Sequence, residues 1–463
     1  MRQTLEYGLL ALLLWSPLPA ASVEEWSIFV VELAAAVLAA AYVLLEPKPA
    51  VNPRLAPVLR KMTPIAAAFF GYLGLQVLPL PAGLVRLVSP GSFELRRLYT
   101  PGFDGTGFIS LSIAPSATVR EGLFLAALFI LGFLVVKTVV RGRQIRTMLA
   151  VLVASGAFQA LYGLFELSRE HPRILFYEKV FSLGSVTGTF VNRNHLSGYL
   201  EMLVPLALGL AIARMNMLAF GVSGFREKVL LWTSKGVLGN ILLFAAAAVM
   251  SLAVVLSNSR SGLVVLGFTV FLFLGLTVAS YSRTGYRQPW VGRSIRVTFL
   301  AVTALAVYAG VGSTIERFAL DDLLHEDRPL YWANTADIVG DFPLFGTGLG
   351  TFAAAYNAYE TRGGDGMELR HAHNDYLEYV AELGVLGAAL LFGAVAYLAV
   401  QAYLAWRKRR HAHARALALG GLVSLAGMAV HAVTDFNLHV PANMVLFAVV
   451  LALTPVMAYY RKS

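Results

Sequence analysis

No cysteine occurs anywhere in the chain, which excludes both a disulfide frame and a thiolate metal site. Charge is scarce as well. Asp, Glu, Lys and Arg make up 14% of the 463 residues, too little polar surface for a soluble fold of this size to cover its core. The alternating ten-residue segments of a transmembrane barrel are missing. Internal repeats, low-complexity tracts and Pro/Gly/Ser linkers are missing too, which argues for one continuous domain over an array of modules.

What the chain has is apolar length. Hydrophobic residues account for 57% of it and fall into repeated runs long enough to cross a bilayer. They predict an all-α, polytopic helical membrane protein of about twelve spans. These lie near 4–20, 26–46, 62–80, 120–139, 145–167, 195–214, 236–256, 261–281, 296–313, 376–405, 416–434 and 441–459. The first span has a second reading. MRQTLEYGLLALLLWSPLPAAS combines a basic start, a short apolar run and small residues, as a cleaved signal peptide does. In either case Val23 lies outside and the later spans keep their orientation.

The net charge of +10 suggests a polyanion partner until the basic residues are located. They concentrate in 47–61, 137–146, FREK at 225–228 with Lys235, 282–296 and 407–415 and at the terminal RKS, on alternate sides of the spans. The positive-inside rule accounts for that pattern with membrane lipids as the partner and no nucleic acid. The external loops are then 81–119, 168–194, 257–260, 314–375 and 435–440. The longest, 314–375, is acidic and too long for a plain connector, so it is expected to form an external lobe with helices of its own, between spans nine and ten of a single membrane domain 1–463.

Nearly every unusual polar residue falls on that external side. Arg260, in SNSRSG, is pinned between two spans. It is either a lipid-headgroup anchor or a phosphate clamp offering a planar fork of donors. Arg328, in HEDRPLYW, reads as a second phosphate ligand or as the partner of Asp321, Asp322 or Asp327. The glycines Gly346, Gly348 and Gly350 allow a tight, closely approached backbone, but with no strand before them they do not make a dinucleotide fingerprint. In HAHNDYLEY, Asp375 and Glu378 have the spacing of a capping box, so a helix begins there and His373 stands just before it. The positive end of the helix dipole favours a neutral imidazole able to accept a proton, and the same helix start suits phosphate oxygens.

Metal chemistry has weaker sequence support. His371 and His373 form an H-x-H pair, and His431 and Asp435, four residues apart, are expected to share a helix face. No third ligand stands at fixed spacing from either pair, so no metal is assigned. Asn194 and His195 precede a span that carries Glu201, an intramembrane acid facing either a wet cavity or another helix.

Taken together, these motifs resemble the O-antigen ligase and polymerase superfamily of bacterial envelope glycosyltransferases. The resemblance rests on His373-Asn374 followed by Gly384-Val385-Leu386-Gly387. It is supported by SNSRSG at 257–262, Arg328 through FGTGLGTF, GTFVNRNHLSGYLEM at 188–202, ISLSIAPSAT at 109–118 and TDFNLHVPAN at 434–443. It implies a GT-C-like fold in the bacterial inner membrane with its site on the periplasmic face. It also implies an undecaprenyl-pyrophosphate-linked glycan as donor, with neither metal nor nucleotide sugar as cofactor. His373 would be the general base, flanked by His371 as an alternative. Arg260 and Arg328 would hold the pyrophosphate, and Asn374 and Glu378 would orient the base or cap the helix. The acceptor is expected to be lipid A-core, as in ligation, or a growing polysaccharide, as in polymerisation. A transporter of lipid-linked glycan is the reading from another class, disfavoured by the absence of repeats and of midplane charges.

Overall fold

In the computed structural model, residues 2–45, 53, 55–218, 235–284, 327–361 and 369–460 are described. The expected ninth span, 296–313, lies outside them. The helices, in chain order, are α1 (Arg2–Trp15), α2 (Glu25–Leu45), α3 (Ala56–Val77), α4 (Ala82–Val88), α5 (Pro90–Tyr99), α6 (Pro115–Thr138), α7 (Gly142–Leu167) and α8 (Arg193–Leu218). They continue as α9 (Lys235–Leu256), α10 (Arg260–Thr284), α11 (Arg328–Asp341), α12 (Phe352–Tyr356), α13 (Asp375–Lys408), α14 (Ala412–His431) and α15 (Pro441–Tyr459). Two short antiparallel ribbons, Leu80–Pro81 with Phe108–Ile109 and Arg173–Ile174 with Tyr177–Glu178, are the strands among the described residues.

The chain is an all-α, multi-pass membrane protein. Nine of the described helices are long and apolar enough to span: α2, α6 to α10 and α13 to α15. Two expected spans differ. Helix α1 has 14 residues, about 21 Å at 1.5 Å per residue, short of the ~30 Å hydrocarbon core. Helix α3 is long enough but carries Arg60, Lys61 and Gln76 and is not among the nine.

Helix α8 is the axis of the bundle, with its apolar window wholly buried. In lipid, close packing rather than water exclusion holds helices together, and small residues permit it. A methyl group added at Gly209 of α8 would stand 2.8 Å from the Ala416 carbonyl of α14, and one at Gly420 would stand 2.7 Å from the Pro205 carbonyl. This near-backbone contact brings the start of α8 and the end of α14 together, and the polar residues of both gather there.

Helix α13 is not continuous. At Gly384 the backbone turns to φ +60, ψ −179, a conformation open to glycine. The 343–350 loop is laced to this break: Val385 N–H donates to Pro343 O (2.9 Å), Thr347 N–H to Ala381 O (2.9 Å) and Gly348 N–H to Glu382 O (2.8 Å). Gln76 of α3 bonds Phe345 O at 2.8 Å, and Tyr72 bonds Leu383 O at 2.5 Å. Of the glycines at 346, 348 and 350, all at positive φ, Gly346 stands against Glu382 and Gly384 at the break, while Gly348 and Gly350 stand against Ser112 and Glu121. Gly384 is the break itself, and Gly387 stands against the Tyr72 ring.

Candidate active site

Beyond α14 the chain crosses the bundle mouth through a turn at 432–440, ending in the short helix Asn437–His439. The start of α13 docks on this turn, the Asp375 N–H donating to Ala432 O at 2.9 Å. Asp435 is thereby fully buried and surrounded from three directions. His373 Nδ1 lies 3.5 Å from its Oδ1, His195 Nε2 3.9 Å from the same oxygen, and an Arg328 nitrogen 3.9 Å from Oδ2. Burial alone would push this carboxyl up, but the His373 imidazole first, then His195 and His431, hold it well below the usual carboxylate range.

A second group of polar side chains adjoins the first. His371 Nδ1 is 2.8 Å from Glu378 Oε1, while the other Glu378 oxygen accepts the Ala372 N–H at 2.7 Å. His439 Nδ1 is 2.7 Å from Asp375 Oδ1, and its Nε2 is 3.5 Å from Glu378. Burial opposes a charge on His439, yet Glu378 and Asp375 outweigh it and raise the imidazole to about 10. The Phe436 ring separates the two groups. It stacks on His371 at 4.2 Å and meets His373 and His195 edge-on at 4.8 and 4.6 Å.

Local structure explains these positions. Asn374 has extended backbone and its side chain accepts the Leu377 N–H at 3.0 Å, capping α13. His373, one residue earlier, sits at φ +52, a left-handed conformation costing a non-glycine residue about 1 kcal/mol. Helix α11 braces this loop: Trp332 Nε1 donates to Ala372 O at 3.1 Å, and the Tyr331 ring lies 6.2 Å from that of His373. Arg328 opens α11 and reaches the site from that helix. Arg260 opens α10, and the next residue, Ser261, accepts a hydrogen bond from Thr434 at 2.9 Å, beside Asp435.

Several expectations are corrected. The cap of α13 is Asn374, and Glu378 instead orients His371, so Asp375 and Glu378 are not a capping box. The H-x-H pair is divided, His371 going to Glu378 and His373 to Asp435. His431 and Asp435 share no helix: α14 ends at His431, which turns inward to Glu201 at 2.8 Å, both side chains buried. That resolves Glu201 as an interhelical partner. In the first turn of α8, His195 rather than Asn194 reaches the aspartate, while the Asn194 backbone N–H binds Asn192. Sequence reading missed His439 and Phe436, although both lie in TDFNLH, next to the Asp435 it did single out.

Among the described residues, His371, Glu378 and His439 form the one group with metal-compatible spacing, their donor atoms lying within 4.8 Å of one another. Those donors are engaged with each other and with Asp375 as set out above.

Residues 245–392 match the family model described as O-Antigen ligase. That segment contains Arg260, Arg328, His371, His373, Asn374 and Glu378. That match supports a place in the O-antigen ligase and polymerase superfamily. It is also similar to the exopolysaccharide production protein ExoQ of Rhizobium meliloti (strain 1021), at 25% identity over 295 residues, 60% of this chain and 59% of the relative. The chain thus matches about three-fifths of that relative's length. His195, Asp435 and His439 lie beyond the matched segment, and the fold brings them to it.

Proposed function

We propose that this protein is an inverting glycosyltransferase that moves a preassembled glycan from undecaprenyl pyrophosphate to an acceptor hydroxyl at the periplasmic face of the inner membrane. The observation that carries this reading is the buried Asp435 with His373, His195 and Arg328 around it. With Nδ1 directed at the carboxylate, His373 has its other nitrogen available as an acceptor. That nitrogen takes the proton from the acceptor O–H, and the freed oxygen attacks the anomeric carbon. The C–O bond to pyrophosphate breaks as its electron pair moves to the leaving oxygen, and Arg328 and Arg260 stabilise the charge that develops there. Attack opposite the leaving group inverts the anomeric centre. No metal is invoked for any step.

A lipid-borne donor also needs a place for its tail. An apolar cavity of about 1050 Å³ runs from Arg60 and Lys137 to Tyr376, Tyr379 and Leu438. Tyr379 stacks on His439 at 4.4 Å, so the apolar cavity ends at the floor of the polar site. This arrangement supports a polyprenyl chain with its pyrophosphate at the mouth.

For the acceptor, the family match favours ligation to lipid A-core. The likeness to a protein named for exopolysaccharide production favours a second reading, polymerisation of lipid-linked repeat units. The test is transfer by purified protein from undecaprenyl-pyrophosphate glycan, with lipid A-core present or omitted, for wild type, His373→Ala, Arg260→Ala and Arg328→Ala. Product on lipid A-core supports ligation, and chain growth without it supports polymerisation. Wild-type turnover in all three variants overturns the site.

A further inference from the structure

The hairpin between α7 and α8 exposes a run of apolar side chains beside the exposed Arg173 and Glu178, and it buries a lysine. Phe176, at its tip, is 91% exposed, and Tyr177, Val180, Phe181 and Leu183 are exposed as well, while Lys179 is buried. The Lys179 ammonium donates to Ser185 O at 2.6 Å. A loop standing in water would turn these residues the other way. Burial of Lys179 also pushes its ammonium down to about 8, a cost that exposing it would remove.

The hairpin is held firmly in this orientation. Tyr162 of α7 donates to Arg173 O at 3.0 Å and accepts the Leu175 N–H at 2.8 Å, and Glu166 accepts the Arg173 N–H at 2.6 Å. These bonds fix the ribbon to the last turns of a membrane-spanning helix whose Phe158, Leu161 and Phe165 are exposed at helical spacing. The apolar surface of the hairpin therefore continues the lipid-facing ridge of α7. At its other end, Val186 N–H donates to Leu256 O at 3.0 Å and Asn258 bonds Gly184 O at 3.3 Å, tying it to the turn before Arg260.

We propose that residues 173–184 form a membrane-seated collar, with the aromatic tip inserted among the lipid chains of the leaflet on the side of the active site. Aromatic side chains favour that depth because they join an apolar body to a polar edge. Continuity with the ridge of α7 selects lipid as the occupant over a second copy of the chain. The collar also fixes the Arg260 turn at headgroup depth, where a lipid-borne pyrophosphate stands. That consequence rests on the donor reading of Arg260, whereas the seating itself does not.

The chain contains no cysteine, so single nitroxide labels can be placed without background. Full-length protein bearing Phe176→Cys or Phe181→Cys would be labelled, reconstituted in vesicles, and its collision rates with oxygen and with a water-soluble nickel chelate measured. Leu161→Cys serves as the lipid-facing reference and Glu170→Cys as the water-facing one. The expected oxygen-to-nickel ratio at 176 and 181 equals that at 161 and exceeds that at 170 several-fold. A ratio matching 170 overturns the proposal. Shielding from both reagents overturns it too, and relief of that shielding on dilution into excess lipid identifies a second copy as the cover. No glycan enters the measurement, so its failure is separable from failure of the proposed transferase activity.

Discussion

The two histidine–carboxylate groups differ in how tightly they are closed. Around Glu378 and Asp375 the contacts are 2.7 and 2.8 Å, between side chains lying against the start of α13. Around Asp435 they are 3.5 and 3.9 Å, converging from α8, α11 and the loop before α13. Both carboxylate centres are buried. In the tight group His371 and His439 each make a short bond to a carboxylate, and short mutual bonds of this kind hold a fold together. The loose group has donors and an acceptor aimed at one another yet short of full bonding, the state of a site completed by its substrate. One therefore reads as scaffold and the other as chemistry.

The sharpest way to break that division is to compare the two histidines. His373→Ala is expected to lower transfer by about 10²- to 10⁴-fold, the range for losing a general base, with little change in melting temperature because the side chain is partly exposed. Arg328→Ala is expected to cost about 10²- to 10³-fold through lost charge stabilisation. His371→Ala should lower transfer far less and melting temperature more, since it removes a partner from Glu378. If His371→Ala abolishes turnover while His373→Ala retains it, the assignments are reversed.

Next in size is a stability effect. Removing one partner from a buried charge pair destabilises by about 3 to 5 kcal/mol because the other is left uncompensated. Glu378→Ala, which strips His371, His439 and the Ala372 N–H of their shared acceptor, is expected to fall in that range by thermal unfolding in detergent. Asp435→Asn should cost less stability, since its side-chain partners stand at 3.5 Å or more and the amide oxygen can still accept the Phe436 N–H, but should nearly abolish transfer. Equal melting losses in the two variants would remove the distinction between scaffold and site.

The same contrast explains what was legible in the sequence. Long apolar runs disclosed the membrane helices because span length is set by the bilayer. The break at Gly384 was hidden because it depends on Pro343, Gln76 and Tyr72, far away in the chain. His373, His195 and Asp435 stand out in the sequence as polar residues at the edges of spans and Arg328 as a cation in the long loop, and the fold brings all four together. Their pairing was not readable. His431 was matched with Asp435 by a four-residue spacing that presumes an unbroken helix, whereas α14 stops at His431 and its partner is Glu201, 230 positions away. His439 is not legible because it ends a single-turn helix, Asn437–His439, too short for periodicity to show which way it faces.

The smallest effect concerns pH, and it separates the groups by sign. The His439 imidazole is raised from 6.5 to about 10, so its folded form holds a proton that the unfolded chain releases near 6.5. Its stabilising contribution is complete below pH 6.5 and is lost as pH rises towards 10. Asp435 is shifted the other way: its contribution is complete above the ordinary carboxylate value and declines only as pH falls below it. Between pH 6.5 and 10 the tight group should therefore weaken while the Asp435 carboxylate stays ionised. Melting temperatures of wild type across that interval should decline, and the slope should flatten in His439→Gln but persist in Asp435→Asn. A slope unchanged in His439→Gln would show that the proton is not held there, and the tight group would lose its role as a charge-balanced scaffold.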